Sequence, residues 1–386
     1  MAEERKTVVL DNGSLYIRAG FAGEQEHQCE MLNIVGRAKQ QAKQQQTVPA
    51  SADDQQTAES SYVGGEALST GLDLQHDYPV KRGIIINWDD AQTIWGYIFE
   101  RELEIADSTS EHAILVTDPL LDQLSNRKKL AEVLFEVFAF PALYIARQAV
   151  MSMYSTGETT GLLLQSGDGV TEVMAMVEGF MVPESVQRFN LAGTDMTQYL
   201  GAKLAQQGHH SFNRSTDAEL LRSIKEKLCF LTHSELKLPE GEEKEEPSVF
   251  QLPEGETLQM TQADCASVFE AMFHPELLTG ESDGVQNTIH TAVNKSDIDS
   301  RKKLWSNIIL SGGNTMVRGF AERLKDELRP LVPSTVTINV KSPEQRQFSA
   351  WKGASMMASL PSFQQLLISK AEYDELGMDI VKRKCF

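Results

Sequence analysis

The sequence is poor in the features that mark membrane and secreted proteins. Its 386 residues contain four cysteines, and their scattered positions favour free thiols over disulfides or a zinc site. No apolar run approaches the roughly 18 residues that a membrane span needs. The first ten residues, MAEERKTVVL, contain neither the apolar core of a signal peptide nor a myristoylation glycine. We therefore expect a protein of the cytoplasm or the nucleus.

Positive charge is also scarce. Lys and Arg number 36 against 55 Asp and Glu, which gives a formal net charge of −19. A general binder of nucleic acid or of an anionic membrane needs a basic surface. The charge balance therefore argues against both kinds of partner and favours basic protein partners. The length is sufficient for two domains with a sizeable core.

Apolar runs of strand character alternate with helical periods along the chain. The strand-like runs lie at residues 7–10, 113–116, 162–164 and 307–310. Residues 89–103 and 126–138 carry apolar side chains at the spacing of an amphipathic helix. This alternation predicts the α/β class. The repeated order of strand and Asp-containing turn indicates two similar domains around a cleft.

Two short glycine turns, far apart in the chain, follow two of these strand-like runs. The first is DNGS at residues 11–14, and the second is SGDGV at residues 166–170. Asn-Gly and Asp-Gly are strong hairpin signals because both tolerate positive φ. Such turns expose backbone N–H groups that wrap phosphate oxygens, and their aspartates can order a hydrated cation. One turn alone is most often an ordinary hairpin, whereas a facing pair predicts a clamp for a nucleoside triphosphate and Mg²⁺.

Longer stretches extend this pattern. They read DNGSLYIRAGF from residue 11, YPVKRGIIINWDDAQTIW from 78, GLLLQSGDGV from 161, IKEKLCF from 224, NIILSGGNTMVRGFAERL from 307 and FSAWKGASMMASLPSF from 348. With them the chain resembles actin and the actin-related proteins over nearly its full length. The resemblance implies the actin-like ATPase fold, shared with heat-shock chaperones and hexokinases, in which two similar α/β lobes enclose a nucleotide cleft.

The same resemblance implies four subdomains and two crossings between the lobes. The subdomains are expected at residues 1–32 with 79–155 and 349–386 (large), 33–78 (small), 156–191 with 281–348 (large) and 192–280 (small). The crossings are expected near residues 148–154 and 346–351. Two crossings make a hinge that can open and close around a ligand.

The resemblance also implies which residues bind ATP or ADP. They lie on two phosphate loops, beside the ribose, on a helix near the base and at a glycine turn against the adenosine. In that order they are Gly13, Ser14, Leu15, Tyr16 and Arg18; Gly167, Asp168, Gly169 and Val170; Gly193; Arg222, Lys225 and Glu226; and Gly312, Gly313, Asn314 and Met316.

Several positions depart from the actin pattern. Leu15 replaces a glycine and is expected to crowd the phosphates unless its side chain points away. Arg18 replaces a lysine, and a guanidinium keeps the charge and grips two oxygens. Val317 replaces an aromatic residue and Gln347 a lysine near the base, so we expect a weaker grip on the base there.

Other departures concern ATP hydrolysis, which needs Mg²⁺ on the phosphates and a positioned water. By resemblance, Asp11, Gln148 and Asp168 surround the metal through water, and Gln148 and Asp168 are the catalytic candidates. Gln165 replaces a third carboxylate, and Glu172 replaces a histidine. Glu172 is expected either to act as a base or to repel the terminal phosphate. We predict that nucleotide binding is retained and that turnover is slow or absent.

The surfaces used in filaments and partner complexes change as well. Residues 38–61 form a polar, Gln-rich segment predicted to be a mobile loop with little apolar area to bury. The stretch 274–280 is more polar than an actin plug, and residues 239–247 form an acidic, solvated segment. These changes argue against ordinary self-polymerisation. A groove for an amphipathic partner helix is expected from Tyr154, Gly157, Thr159, Gly179, Met356, Met357, Leu360 and Leu366, with Lys352 placing a charge among them.

These patterns favour a nucleotide-binding, actin-related structural subunit of a cytoskeletal or ciliary assembly. Two other functions stay open at this point. One is a divergent filament-forming actin with ATPase-timed polymerisation. The other is a nuclear actin-related subunit of a chromatin-remodelling complex. The sequence contains no basic nuclear-localisation run, which favours the cytoplasm and cytoskeleton, and the C-terminal actin-like stretch argues against a sugar kinase on the same fold.

Overall fold

The computed structural model describes residues 6–38, 61–70, 72, 74–121, 123–209, 217–233, 247–253, 255–278 and 283–385. Three segments on which expectations rest lie partly or mostly outside these ranges. They are the Gln-rich segment 38–61, the acidic segment 239–247 and the end of the stretch 274–280.

The strands of the described residues are mostly short. In chain order they are β1 Thr7–Asn12, β2 Tyr16–Phe21, β3 Cys29–Leu32, β4 Val35–Ala38, β5 Ser61–Val63, β6 Leu74–Asp77, β7 Val80–Lys81, β8 Ile84–Ile85, β9 Ala113–Asp118, β10 Ala142–Arg147, β11 Gly161–Ser166, β12 Thr171–Val177, β13 Phe180–Phe189, β14 Ser248–Gln251, β15 Thr257–Met260, β16 Ile308–Ser311, β17 Val340–Lys341 and β18 Ile368–Ser369.

The α-helices surround the sheets. They are α1 Gly65–Ser69, α2 Trp88–Tyr97, α3 Leu124–Glu132, α4 Gln148–Tyr154, α5 Gly193–Gln206, α6 Asp217–Leu228, α7 Gln262–Glu270, α8 Val285–Asn294, α9 Ile298–Trp305, α10 Phe320–Leu328, α11 Ser349–Ala358, α12 Lys370–Leu376 and α13 Asp379–Lys384. Short 3₁₀ turns occur at Ala106–Glu111, Pro275–Leu277, Gly313–Met316, Arg329–Leu331, Arg346–Phe348 and Pro361–Gln365.

The two helices predicted from periodicity are present, but each ends differently from a regular α-helix. Helix α2 continues as a π-helical turn at Ile98–Glu102, and α3 continues as one at Val133–Val137. The two turns meet in the core, where the rings of Phe99 and Phe138 pack edge to face with centroids 5.1 Å apart. Apolar periodicity reports the buried face, which an α-helix and a following π-turn share.

The two main sheets have the same strand order. The first runs β3-β2-β1-β9-β10 and adds β18 at its edge, and the second runs β13-β12-β11-β16-β17. In each sheet the first three strands are antiparallel and the last two join in parallel. We call the first sheet with its helices the first lobe and the second sheet with its helices the second lobe. This two-lobe α/β architecture confirms the predicted fold class.

Two helices join the lobes. Met151 of α4 packs in the cluster under the first sheet, whereas Ala149 and Met153 pack against strands of the second sheet. Helix α11 crosses α4 so closely that a Cβ at Gly353 would lie 1.7 Å from the carbonyl oxygen of Met151. Position 353 therefore accepts only glycine, and the two helices form the floor between the lobes.

The four cysteines are all buried and free, as their spacing predicts. Cys29 and Cys385 belong to the core of the first lobe, and Cys229 and Cys265 belong to the core of the second. Across the described ranges, no helix is both long enough and apolar enough to cross a membrane.

Candidate functional site

Both glycine turns connect the first two strands of a lobe. In the first lobe, Asn12 pairs with Ile17, and the Gly13 N–H donates to the Tyr16 carbonyl oxygen at 3.1 Å. In the second lobe, Ser166 pairs with Thr171, and the Gly167 N–H donates to the Val170 carbonyl oxygen at 2.9 Å. Neither turn contains a residue of positive φ. The hairpin prediction is therefore correct, but its stated reason is wrong, because four-residue loops replace the tighter turns that need positive φ.

The two turns face each other and touch. A Cβ at Gly169 would lie 2.3 Å from Ser14 Oγ and 2.8 Å from Ser14 Cβ. Ser14 Oγ also accepts a hydrogen bond of 3.0 Å from the Gly83 N–H. Only a residue without a side chain permits this approach of the two loops.

A cavity of about 1000 Å³ lies between the lobes beside these turns. It is lined from both lobes, and all but one of the expected nucleotide-site residues belong to its wall. Those present are Asp11, Gly13, Ser14, Leu15, Tyr16, Arg18, Gln148, Gln165, Gly167, Asp168, Gly169, Val170, Glu172, Gly193, Lys225, Glu226, Gly312, Gly313, Asn314 and Met316. Arg222 stands behind the wall, with its Nε 3.8 Å from Asp168 Oδ1.

A file of hydrogen bonds crosses the floor of the cavity from one lobe to the other. Asp11 Oδ1 accepts from Thr117 Oγ1 at 2.6 Å and from Gln148 Nε2 at 2.7 Å. Gln148 Oε1 in turn accepts from Gln165 Nε2 at 2.8 Å. Gln165 Oε1 accepts from Ser152 Oγ at 2.6 Å. Both ends of the Gln148 carboxamide are thus occupied by protein groups.

Glu172 is nearly fully buried and faces the backbone of the first lobe. Both of its carboxylate oxygens accept from the Leu120 N–H at 3.1 Å. Burial raises the pKa of this carboxyl to about 7, although the Leu120 N–H and Arg188 oppose the shift. Glu172 borders the cavity, but its oxygens accept their hydrogen bonds from the backbone that follows β9.

Arg18 is tied to acidic side chains on both sides. Its Nε and Nη2 donate to Glu30 Oε1 at 3.0 and 2.8 Å, and its Nη1 lies 3.6 Å from Asp11 Oδ2. The guanidinium also lies over the ring of Phe348, 5.0 Å from its centroid. Glu30 lines the cavity as well. Sequence patterns did not assign Glu30 to the site.

The second phosphate loop is joined to the start of α5. The Gly193 N–H donates to the Gly167 carbonyl oxygen at 3.0 Å, and Lys225 Nζ donates to the Gly193 carbonyl oxygen at 2.8 Å. Burial raises the pKa of Asp168, against the lowering effect of Arg222 and Lys225, and burial lowers the pKa of Lys225. A buried cation beside a buried carboxylate at the start of a helix is suited to an anionic group.

The opposite end of the cavity is formed by the turn after β16. Gly312 has a φ of 88°, and a Cβ there would lie 2.2 Å from the Ser166 carbonyl oxygen. Asn314 Nδ2 donates to Ser166 Oγ at 2.9 Å. The buried side-chain oxygens of Asn314 and Gln347 make no hydrogen bond to any described residue. Val317 and Gln347 also line this end of the cavity. They occupy the positions where the actin pattern has an aromatic residue and a lysine.

Leu15 is only 6% exposed and lines the cavity, and it belongs to none of the apolar clusters of the described core. Its effect on the phosphates remains a prediction.

Arg82 is a further residue of this site that sequence patterns did not assign to it. Its guanidinium makes two hydrogen bonds of 2.6 Å to the Asp195 carboxylate on α5, and its Nη1 donates to the Asn190 carbonyl oxygen at 2.8 Å. Nearby, Tyr78 Oη donates to Glu219 Oε1 on α6 at 2.6 Å. Residues 78–85 lie with the first lobe, so both contacts close the cavity from lobe to lobe.

The expected partner groove lies on α4, α11 and the β12–β13 turn. Tyr154 and Met357 pack against one cluster, and the Gly179 N–H donates to the Thr159 carbonyl oxygen at 2.7 Å. Lys352 Nζ donates to the Gln345 side chain. The exposed surface includes Gly157, Met356, Leu360 and Leu366, of which the last three are 51%, 54% and 41% exposed.

A comparison with models of protein families gives a match over residues 2–386 to the family described as Actin. The match includes both turns, every residue that lines the cavity and the surface of α4 and α11.

Proposed function

Because this chain belongs to the actin family, we propose that it binds ATP or ADP with Mg²⁺ between its lobes. We propose further that it serves as a structural subunit of a cytoskeletal or ciliary protein assembly in the cytoplasm, with slow or no ATP hydrolysis. Bound nucleotide stabilises the closed, folded state by mass action, because it binds that state alone.

The observation that carries the nucleotide proposal is the contact between the two glycine turns at the edge of a cavity of about 1000 Å³. Residues of both turns line the same cavity, and turns of this kind can bind phosphate oxygens through backbone N–H groups. Lys225 and Arg18 supply positive charge beside the turns. The buried amide oxygens of Asn314 and Gln347 support a base at the far end, since a purine amino group supplies the donor that they lack.

Mg²⁺ fits the oxygen-rich groups near the turns. Asp11 and Asp168 offer carboxylate oxygens to the cavity, and Mg²⁺ prefers oxygen ligands and keeps several waters. The ion would neutralise phosphate charge. Among the described residues, no group of three or more acidic, His or Cys side chains forms a metal site of its own, so the phosphates are required for its binding.

Slow turnover is supported by the two residues that differ from the actin pattern. Gln165 carries no charge, and Glu172 is engaged with the Leu120 N–H. A buried carboxylate whose two oxygens are both directed at a backbone N–H is less free to take a proton from water.

A role in an assembly is supported by the exposed apolar side chains of α11 and the segment that follows it. Met356, Leu360 and Leu366 form a surface suited to an amphipathic helix. Lys352 lies one helical turn before Met356 and favours a partner helix that carries a carboxylate. Sedimentation after addition of Mg²⁺ and salt tests the filament alternative, and we expect no pellet.

The decisive experiment is to denature freshly purified protein and identify the released nucleotide by chromatography. We expect about one ATP or ADP per chain, with loaded ATP persisting for hours. Protein without any nucleotide, before and after incubation with ATP and Mg²⁺, would contradict the proposal. Conversion to ADP within minutes would keep the binding site and overturn slow turnover.

A further inference from the structure

We propose that Gln165 is a positioning residue that holds the Gln148 carboxamide toward Asp11 and thereby suppresses ATP hydrolysis. The inference rests on the proposed nucleotide binding and goes beyond the loss of a carboxylate at position 165. It assigns the slow turnover to a hydrogen-bond donor that is present at this position.

The orientation of each side-chain amide in this file of hydrogen bonds follows from the contact with Asp11 at its start. Asp11 Oδ1 accepts from Gln148 Nε2 at 2.7 Å, so the NH₂ group of Gln148 faces Asp11. The Gln148 oxygen therefore faces Gln165, which must donate with its own NH₂ group at 2.8 Å. The Gln165 oxygen is left to accept from Ser152 Oγ at 2.6 Å. Each amide orientation is fixed by the one before it.

The far end of the file is anchored in the second lobe. Ser152 is fully buried and Gln165 is 7% exposed, so the hydrogen bond between them is shielded from bulk solvent. Ser311 Oγ lies 3.1 Å from Ser152 Oγ and connects the file to β16. Breaking one bond of such a buried row leaves a polar group without a partner, which is unfavourable.

Hydrolysis joins a water oxygen to the terminal phosphorus and breaks the bond to the bridging oxygen of ADP. The attacking water must meanwhile give up a proton, and an acceptor that binds the water orients it for attack. The Gln148 oxygen already accepts from Gln165, which leaves only its second lone pair for a water. Because Gln148 also donates to Asp11, its carboxamide is held by two protein partners and is hindered from turning toward the attacking water.

Two substitutions separate this idea from a simple loss of charge. Gln165→Met removes the donor without adding charge, and Gln165→Glu removes the donor and adds a carboxylate. Ser152→Ala releases the Gln165 oxygen from the other side. The matched control is Gln286→Met, because Gln286 is also a buried glutamine, on α8, and among the described residues its NH₂ group donates to the Phe273 carbonyl oxygen at 3.0 Å.

The measurement is the single-turnover conversion of bound ATP to ADP, with nucleotide affinity and urea stability recorded for each variant. We expect Gln165→Met and Gln165→Glu to raise the turnover rate by at least about tenfold, a small share of what a positioned group contributes. Ser152→Ala should give a smaller rise and Gln286→Met none. Affinity should change less than the rate, which a merely structural role would not produce.

A rise in Gln165→Glu alone would overturn the inference and assign slow turnover to the missing charge. Unchanged rates in both variants, with ATP still bound, would overturn it as well. If neither wild type nor variants hold nucleotide, the proposed function itself fails. Bound nucleotide is therefore measured first, so that the two failures are distinguished.

Discussion

Glu172 shows how one buried side chain can link folding to pH. The carboxyl is 3% exposed, and burial raises its pKa from 4.5 to about 7. Its oxygens face the Leu120 N–H, while the charge of Arg188 lowers its pKa and that of Asp118 raises it. A carboxyl with a higher pKa in the folded chain binds its proton more tightly when folded. The stability that it provides is therefore complete below pH 4.5 and is lost as the pH rises through about 7.

The variant Glu172→Gln should remove this dependence. From pH 5 to pH 8, the free energy of unfolding of the wild type should fall relative to that of the variant, by up to roughly 3 kcal/mol. Urea unfolding of both proteins at several pH values measures the difference, because other titrating groups are common to both. Parallel curves over this range would show that Glu172 is ionised at the same pH in the folded and unfolded chains.

At this scale the sequence predicts residue types near the nucleotide better than it predicts their contacts. Resemblance to a family identifies Gln165 as an uncharged substitute. It does not reveal that this side chain donates to Gln148, which lies 17 residues away on another element. The contact of Arg82 is likewise hidden from local patterns, because its partner Asp195 is 113 residues away. Such contacts depend on the packing of the two lobes, which no local pattern encodes.

The glycine turns are the elements that bring the lobes together, and Gly169 controls their approach. A Cβ at this position would lie within 2.8 Å of both heavy atoms of the Ser14 side chain. Rotation of the Ser14 hydroxyl relieves only one of these contacts, so one of the loops must shift.

We predict that Gly169→Ala weakens ATP binding at least about tenfold, because overpacking of this kind costs typically 1–3 kcal/mol. Equilibrium binding of a fluorescent ATP analogue provides the measurement. Gly96→Ala is the control, since nothing lies within 4 Å of a Cβ on that residue of α2. The control should bind normally and gain some helix stability. Normal binding by Gly169→Ala would mean that the loops separate before nucleotide enters.

Element prediction succeeds where a pattern is long enough to be periodic. The central strands β1, β9, β11 and β16 coincide with the predicted runs to within a few residues. The two-residue strands β7, β8, β17 and β18 were not predicted, because two residues cannot display alternation. The π-turns after α2 and α3 were missed for a related reason, since their apolar residues continue the same buried face.

On the scale of the whole molecule, the cavity is closed by charges as well as by packing. Arg82 and Asp195 form a two-point ion pair between the lobes, with bonds of 2.6 Å. The Arg82 side chain is 40% exposed, so dissolved salt screens the pair. The opening of the cleft is therefore expected to depend on ionic strength.

We predict that Arg82→Gln accelerates nucleotide dissociation by about 3- to 10-fold, as expected for the loss of a two-point charged pair. Wild-type dissociation should also accelerate with added salt, whereas that of the variant should change little. Displacement of a fluorescent nucleotide in a stopped-flow instrument measures both effects. Asp374→Asn, which breaks an exposed pair with Lys370 on α12, serves as the control. Equal rates for Arg82→Gln and wild type at low salt would contradict the prediction.

The architecture as a whole was predictable because the resemblance to the actin family extends over nearly the full chain. The family match over residues 2–386 and the shared strand order of the two sheets agree with the predicted two-lobe α/β fold. The expected subdomain boundaries and the assembly that the protein serves remain predictions. Assembly partners contact exposed side chains, and these carry little of the hydrophobic pattern from which a fold is inferred.

The four buried cysteines can report on local unfolding within each lobe. Burial raises the pKa of Cys29 and Cys229 to about 12 and that of Cys385 to about 11, and it also raises the pKa of Cys265. Since the thiolate is the reactive form, burial and the raised pKa slow the alkylation of all four in the folded chain. Two of these thiols lie in each lobe. The alkylation rate of each pair therefore measures how often its own lobe unfolds locally, and no label has to be engineered into the chain.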